Sequence, residues 1–119
     1  MKDLEAFALT LLHSATVSHI QHWQTKSYAA HVALGEYYAA IPELVDQLVE
    51  SCMGKSGEKV GDFDEEFELI KDPKEYFVSL QEFVTDNRKH LPKDTEIQNI
   101  VDEIADLINS TTYKLQQLS

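Results

Sequence analysis

Apolar residues recur at three- and four-residue steps in four stretches of the chain, the spacing that gathers them on one face of a helix. The first stripe runs Leu4, Phe7, Ala8, Leu11, Leu12 and Ala15, then turns polar at His19 and His22. Asp3 and Glu5 suit the positive end of a helix dipole and Lys26 the negative end, so a helix is predicted over 3–26. Ser27 can cap a second helix, predicted over 27–53, with the stripe His31, Leu34, Tyr38, Ile41, Val45, Leu48, Val49 and Cys52. Gly54 is a natural residue to end it, and Pro42 predicts a kink within it. Asp72-Pro73-Lys74-Glu75 is a cap followed by a first-turn proline and an acid, which opens a third helix over 73–91, stopped by Pro92. Thr95-x-x-Gln98 offers a capping box for a fourth, over 95–118. Its stripe is the cleanest in the chain: Ile97, Ile100, Val101, Ile104, Leu107, Ile108 and Leu115.

Helices one and two are joined too briefly for anything but antiparallel neighbours. Residues 54–72 are different. They hold three of the four glycines and a dense acidic run, and they are longer than bundle turns usually are. Phe63, Phe67, Leu69 and Ile70 predict that part of this stretch packs on the helices, and its length suits a crossover along a bundle. The expectation is an all-α, four-helix bundle with a long connection between helices 2 and 3.

A chain of 119 residues supports one such domain. Charge narrows its partners. Asp and Glu number 21 against 10 Lys and Arg, for a formal charge of −11. Such a surface repels phosphate, so direct nucleic acid binding is rejected, whereas metal cations and basic proteins are attracted. The lone cysteine, Cys52, excludes an intrachain disulfide and fits a reducing, cytoplasmic setting. Residues 1–12 lack a secretory pattern, and no apolar run approaches the roughly 20 residues of a membrane span.

The candidate chemistry lies in residues 13–50, which hold four of the five histidines and the only tryptophan, Trp23. His19 and His22 project from neighbouring points of one helix, and His31 lies near the start of the next. Asp46 and Glu50 are one turn apart further along and can share a cation; Glu36 lies between. These residues read in two ways: as ligands for a transition metal, since neutral imidazole is its commonest ligand, or as polar groups hydrogen-bonded within a bundle core. Glu-x-x-His, His-Glu-x-x-His and a phosphate-binding glycine loop are all absent, and no catalytic residue is assigned.

His22-Trp23, His31, Asp46 and Glu50 together resemble the Dps branch of the ferritin-like proteins. In that family a His-Trp pair ends the first helix and a second His opens the next. An Asp and a Glu follow it at the fifteen- and nineteen-residue separations seen here between His31 and Asp46 or Glu50. The position four after the second His, an Asp in the family, is Gly35 here, with Glu36 beside it. The resemblance implies a site between subunits in at least a dimer. It would bind iron or another divalent transition metal through His22, His31, Asp46 and Glu50, with His19 and Glu36 auxiliary. A second resemblance covers most of the chain. HWQTKSYAAHVALGEYYAAIPELVDQLVES and IVDEIADLINSTTYKLQQL are similar to a family of small tailed-phage proteins. It implies a ferritin-like bundle in a host cytoplasm, with no activity attached. The competing expectation is an acidic phage accessory protein without enzymatic chemistry that binds another protein.

Overall fold

A computed structural model describes residues 1–61, 63 and 70–119. Four α-helices make up the fold: α1 (Lys2–Gln24), α2 (Tyr28–Ser56), α3 (Pro73–Asn87), a short 3₁₀ turn (Arg88–His90), and α4 (Thr95–Gln117). There is no strand among the described residues.

Two helix starts follow from their caps. The Ser27 hydroxyl accepts the Ala30 N–H at 3.1 Å, and the Asp72 carboxylate accepts that of Lys74 at 3.0 Å ahead of Pro73. Three local expectations are corrected. α2 runs through Gly54 and ends at Gly57, whose φ of +75° is the left-handed conformation that closes the last turn without a Cβ clash. α3 gives way at Arg88 to the 3₁₀ turn, three residues before Leu91. The capping box at Thr95 does not form: Asp94 occupies the cap, and the Gln98 amide instead donates to the carbonyl of Pro92 at 2.8 Å. α2 is unbroken at Pro42.

Pairings across the bundle fix its topology. Lys114–Glu36 and Lys55–Asp94 join opposite ends of α4 and α2, so these run antiparallel. Gln81–Asn109 and Arg88–Asp102 do the same for α3 and α4, and the Phe7–Phe83 ring stack for α1 and α3. Hence α1 and α4 point one way and α2 and α3 the other. The long connection must therefore return the whole length of the bundle. Its described ends are held near the two ends of α1: the Gly61 N–H donates to the Glu5 carboxylate, and the Gln21 amide to the Ile70 carbonyl, each at 2.7 Å. Val60 packs on the core, whereas Phe63 and Ile70 stay largely exposed; Phe67 and Leu69 lie outside the described residues.

The core is one apolar cluster with contributions from all four helices, including the fully buried Phe7, Leu34, Phe77 and Ile104. α4 buries the face its stripe predicts. α1 does not: beyond Leu11 its buried positions are Ser14, Val17, Ser18 and Gln21, and Leu12 is exposed. Likewise α2 buries Tyr37, not Tyr38. The Ser18 hydroxyl donates to the Ser14 carbonyl at 2.6 Å, and the Ser14 hydroxyl to that of Leu11 at 2.5 Å. With its one hydrogen so used, Ser14 Oγ accepts from the Tyr37 hydroxyl at 2.7 Å. Polar atoms that satisfy one another can be buried. Burial pushes the Tyr37 and Tyr76 hydroxyls far above the ordinary tyrosine range, so both stay neutral.

Candidate functional site

The α1–α2 joint is three residues long, Thr25 to Ser27. The Thr25 N–H closes the last turn of α1 on the Gln21 carbonyl at 3.0 Å, and the Thr25 hydroxyl accepts the Ser27 N–H at 3.2 Å. So tight a turn brings the last turns of α1 against the first turns of α2, where the histidines meet.

His22 and His31 form a reciprocal pair. His22 Nδ1 lies 2.6 Å from the His31 carbonyl, and His31 Nδ1 lies 2.9 Å from the His22 carbonyl. A carbonyl only accepts, so each Nδ1 carries the hydrogen and each Nε2 in the neutral ring keeps a lone pair. The two rings stack with centroids 3.6 Å apart and planes 17° from parallel. His19 stacks on Tyr38 at 3.9 Å and 10°, and Trp23 lies against His19 at 4.7 Å. His22 meets Tyr38 edge-on at 5.3 Å. Five rings from two helices thus line one seam.

Gly35 makes this approach possible. A Cβ there would lie 3.1 Å from His22 Cε1 and 3.3 Å from His22 Nδ1, closer than ordinary packing allows. Gly35 is therefore where the His22 ring sits against the α2 backbone.

The remaining candidate ligands lie elsewhere. Asp46 and Glu50 are exposed on α2, about 22 and 28 Å along the helix from His31 at 1.5 Å per residue. Glu36 is exposed and paired with Lys114 of α4 at 2.9 Å. One chain thus brings together His19, His22 and His31 but none of the three acids. Among the described residues no three His, Cys, Asp or Glu side chains are grouped to hold a metal ion.

On the outer surface of this seam, sequence reasoning points to Trp23 and the His19–His22 end as a mixed aromatic and polar surface of the kind where proteins meet, and it misses the part played by Tyr28, Leu12 and Val32. Trp23 is 70% exposed and Tyr28 81%, and Leu12, Val32 and Ala39 are exposed on the same two helices. Tyr28, Val32 and Leu118 also line an open groove of about 380 Å³ between α2 and α4. The signal was available as charge: Lys26 is the only Asp, Glu, Lys or Arg in residues 6–35. No helix among the described residues is long and apolar enough to cross a membrane.

A family model described as a family of unknown function, DUF5856, matches residues 22–115. An uncharacterized 14.6 kDa protein from the mobD-ri intergenic region of Enterobacteria phage T4 is 37% identical over 49 residues, which is 41% of this chain and 38% of that protein. No solved structure matches the chain.

Proposed function

We propose, for a chain that belongs to the DUF5856 family of unknown function, that it acts by binding protein and carries out no chemistry. Its docking face would be the outer surface of the α1–α2 seam. One observation carries this reading. In a chain of charge −11, that surface presents Trp23, Tyr28, Leu12 and Val32 with almost no charge among them. Aromatic enrichment with charge depletion is the composition of interface centres. The histidines behind it serve as packing, since His22 and His31 satisfy each other's backbone and His19 supports Trp23 and Tyr38. The kinship with a phage protein fits an accessory protein of a phage. The test is photo-cross-linking from position 23 in cells that express the chain, with exposed position 82 on α3 as control. Adducts from 23 and none from 82 are expected; no adduct from 23 overturns the reading.

A second reading is supported by the histidine tautomers. A ring that donates Nδ1–H to a carbonyl and keeps the Nε2 lone pair is in the form that ligates metals. A Dps-like, ferritin-like protein would then hold iron or a similar divalent ion between two copies, through His22 and His31 of one and Asp46 and Glu50 of the other. His19 would assist, and Glu36 would do so only by leaving Lys114. The single long crossover between parallel helices suits a ferritin-like bundle. Equilibrium dialysis against Fe, Mn or Zn decides it. Uptake by the wild type, lost in His31→Ala with helicity unchanged, supports the site. No uptake, or equal uptake by the variant, sinks it.

A further inference from the structure

We infer that the occupant of the uncharged α1–α2 face is a second copy of this chain, related by a two-fold axis; this rests on the docking reading above. Leu12, Thr16 and Trp23 recur on the exposed side of α1, and Tyr28, Val32 and Ala39 on that of α2. Their spacings of four, seven or eleven residues put each set on one side of its helix. The stacked rings of the seam lie between the two rows. The result is a continuous aromatic and aliphatic strip on the half of the hairpin nearest the Thr25–Ser27 joint.

Charge selects the partner. The 21 acidic residues draw basic proteins, but all of them fall outside residues 6–35. A basic partner would therefore be steered to the rest of the surface. The one acid at its edge, Glu36, is already paired with Lys114, so the strip offers a basic partner no free opposite charge and would leave its Lys and Arg desolvated and unpaired. The surface that fits must be uncharged too, and this chain possesses one. Two copies of charge −11 repel over most of their area, and they approach at least cost where both are uncharged. A two-fold axis lets one patch meet itself, so a single strip suffices for a closed dimer. The axis must pass near the joint-proximal half of the seam. The joint-distal half of the same α2 face carries Glu43, Asp46 and Glu50, all exposed, which would face like charges if overlapped. That register leaves Asp46 and Glu50 outside the contact, whereas a shared metal site would need the axis further along α2.

The salt response distinguishes this association from charge-driven binding. Salt screens the remaining repulsion, so the dimer should tighten as salt rises from about 0.1 M to about 1 M and the Debye length falls from about 10 Å to about 3 Å. Sedimentation equilibrium of the purified full chain across the micromolar range is the test. The expected mass rises toward twice the 13.6 kDa of one chain, more readily at high salt. The double variant Trp23→Asp, Tyr28→Asp, at two exposed positions, should stay monomeric with unchanged circular dichroism. Tyr113→Asp, also exposed but on α4, should still dimerise. A wild type that stays monomeric at the highest concentration and salt overturns the inference. So does a dimer that survives the double variant. The two readings fail separately: a monomeric chain whose position-23 adducts carry a different protein keeps the docking reading and loses the second copy. Failure to cross-link from position 23 at all removes both.

Discussion

α1 and α4 are both 23-residue helices of one bundle, and they bury themselves by different means. α4 turns Ile97, Val101, Ile104, Ile108 and Leu115 inward and keeps its charges outside. α1 buries an apolar stripe only as far as Leu11, with the Glu5 carboxylate buried beside it and bonded to the Gly61 N–H. Its next turns bury Ser14, Ser18 and Gln21, while aromatic side chains lie on its flank and outside. An apolar stripe drives burial by removing surface from water, at about 25 cal/mol per Å². A buried hydroxyl gains nothing that way; it is tolerated because a carbonyl or a second hydroxyl replaces the water it lost. That half of α1 leaves Trp23 on the outside, where the proposed docking surface lies. The lesson is that a helix can bury a polar face where groups on other segments satisfy it.

The largest expected effect tests the apolar half of the comparison. Ile104→Ala removes a fully buried side chain from α4, and urea denaturation should show a loss of about 3 kcal/mol. The matching change in α1, Ser18→Ala, should cost less than about 1 kcal/mol, because the Ser14 carbonyl it releases is already within a helix. Equal losses at the two positions would erase the distinction.

Next in size is the hydroxyl pair that lets α1 bury serine. Tyr37→Phe and Ser14→Ala should each cost about 1 kcal/mol, and the double variant about as much as either alone, because the 2.7 Å bond is lost once. Additive losses would mean that the two hydroxyls are independent.

These contacts also explain how much was legible beforehand. The four helices, the Ser27 and Asp72 caps and the inward face of α4 follow from spacing and cap chemistry, which are local. The inward face of α1 is not local. His19 and His22 continue its stripe in register, yet Ser14, Ser18 and Gln21 are the residues buried, because Tyr37 and the Ile70 carbonyl wait for them on other segments. The same limit applies to the candidate site. That His22 and His31 would meet could be read from the short joint, but their mutual backbone bonds could not, nor could the pairing of Glu36 with Lys114. The end of α2 was misplaced because Gly54 and Gly57 look alike in sequence, and only Gly57 has the left-handed backbone.

Two glycines of α2 sharpen the comparison at its seam. Gly54→Ala meets nothing within 4 Å and removes a flexible residue from a helix, so it should stabilise by about 0.5–1 kcal/mol. At Gly35 the same gain in helix propensity is offset. The new Cβ displaces a His22 ring that is fixed by a 2.6 Å hydrogen bond and a 3.6 Å stack. Gly35→Ala should be net destabilising by up to about 1 kcal/mol, and should alter Trp23 fluorescence through His22, Tyr38 and His19. Stabilisation of equal size at both positions would show that the ring cluster yields freely.

The smallest effect belongs to the start of α4, where the helix with the better stripe has the poorer cap. Asp94 sits at the N-cap, yet its carboxylate bonds Lys55 of α2 and no N–H of its own helix. The hydrogen bond from Lys55 is the main cause that holds this carboxyl below the ordinary range. A carboxyl whose folded-state pKa is depressed contributes stability that is present above its unfolded value of about 3.9 and lost as pH falls through the folded value. Asp94→Asn should therefore lower the urea midpoint slightly at neutral pH, and the gap to wild type should close in acid. Lys55→Ala should lower it less than Asp94→Asn does. Once Lys55 is gone, the Asp94 carboxylate can turn to the free N–H groups of the first turn, where an Asp cap is favourable and the dipole welcomes negative charge. Asparagine keeps a side-chain oxygen for that turn but forfeits both the ion pair and the charge at the dipole. A larger loss for Lys55→Ala than for Asp94→Asn would show that Asp94 cannot turn, and that the ion pair itself, not a latent cap, fixes the start of α4 against α2.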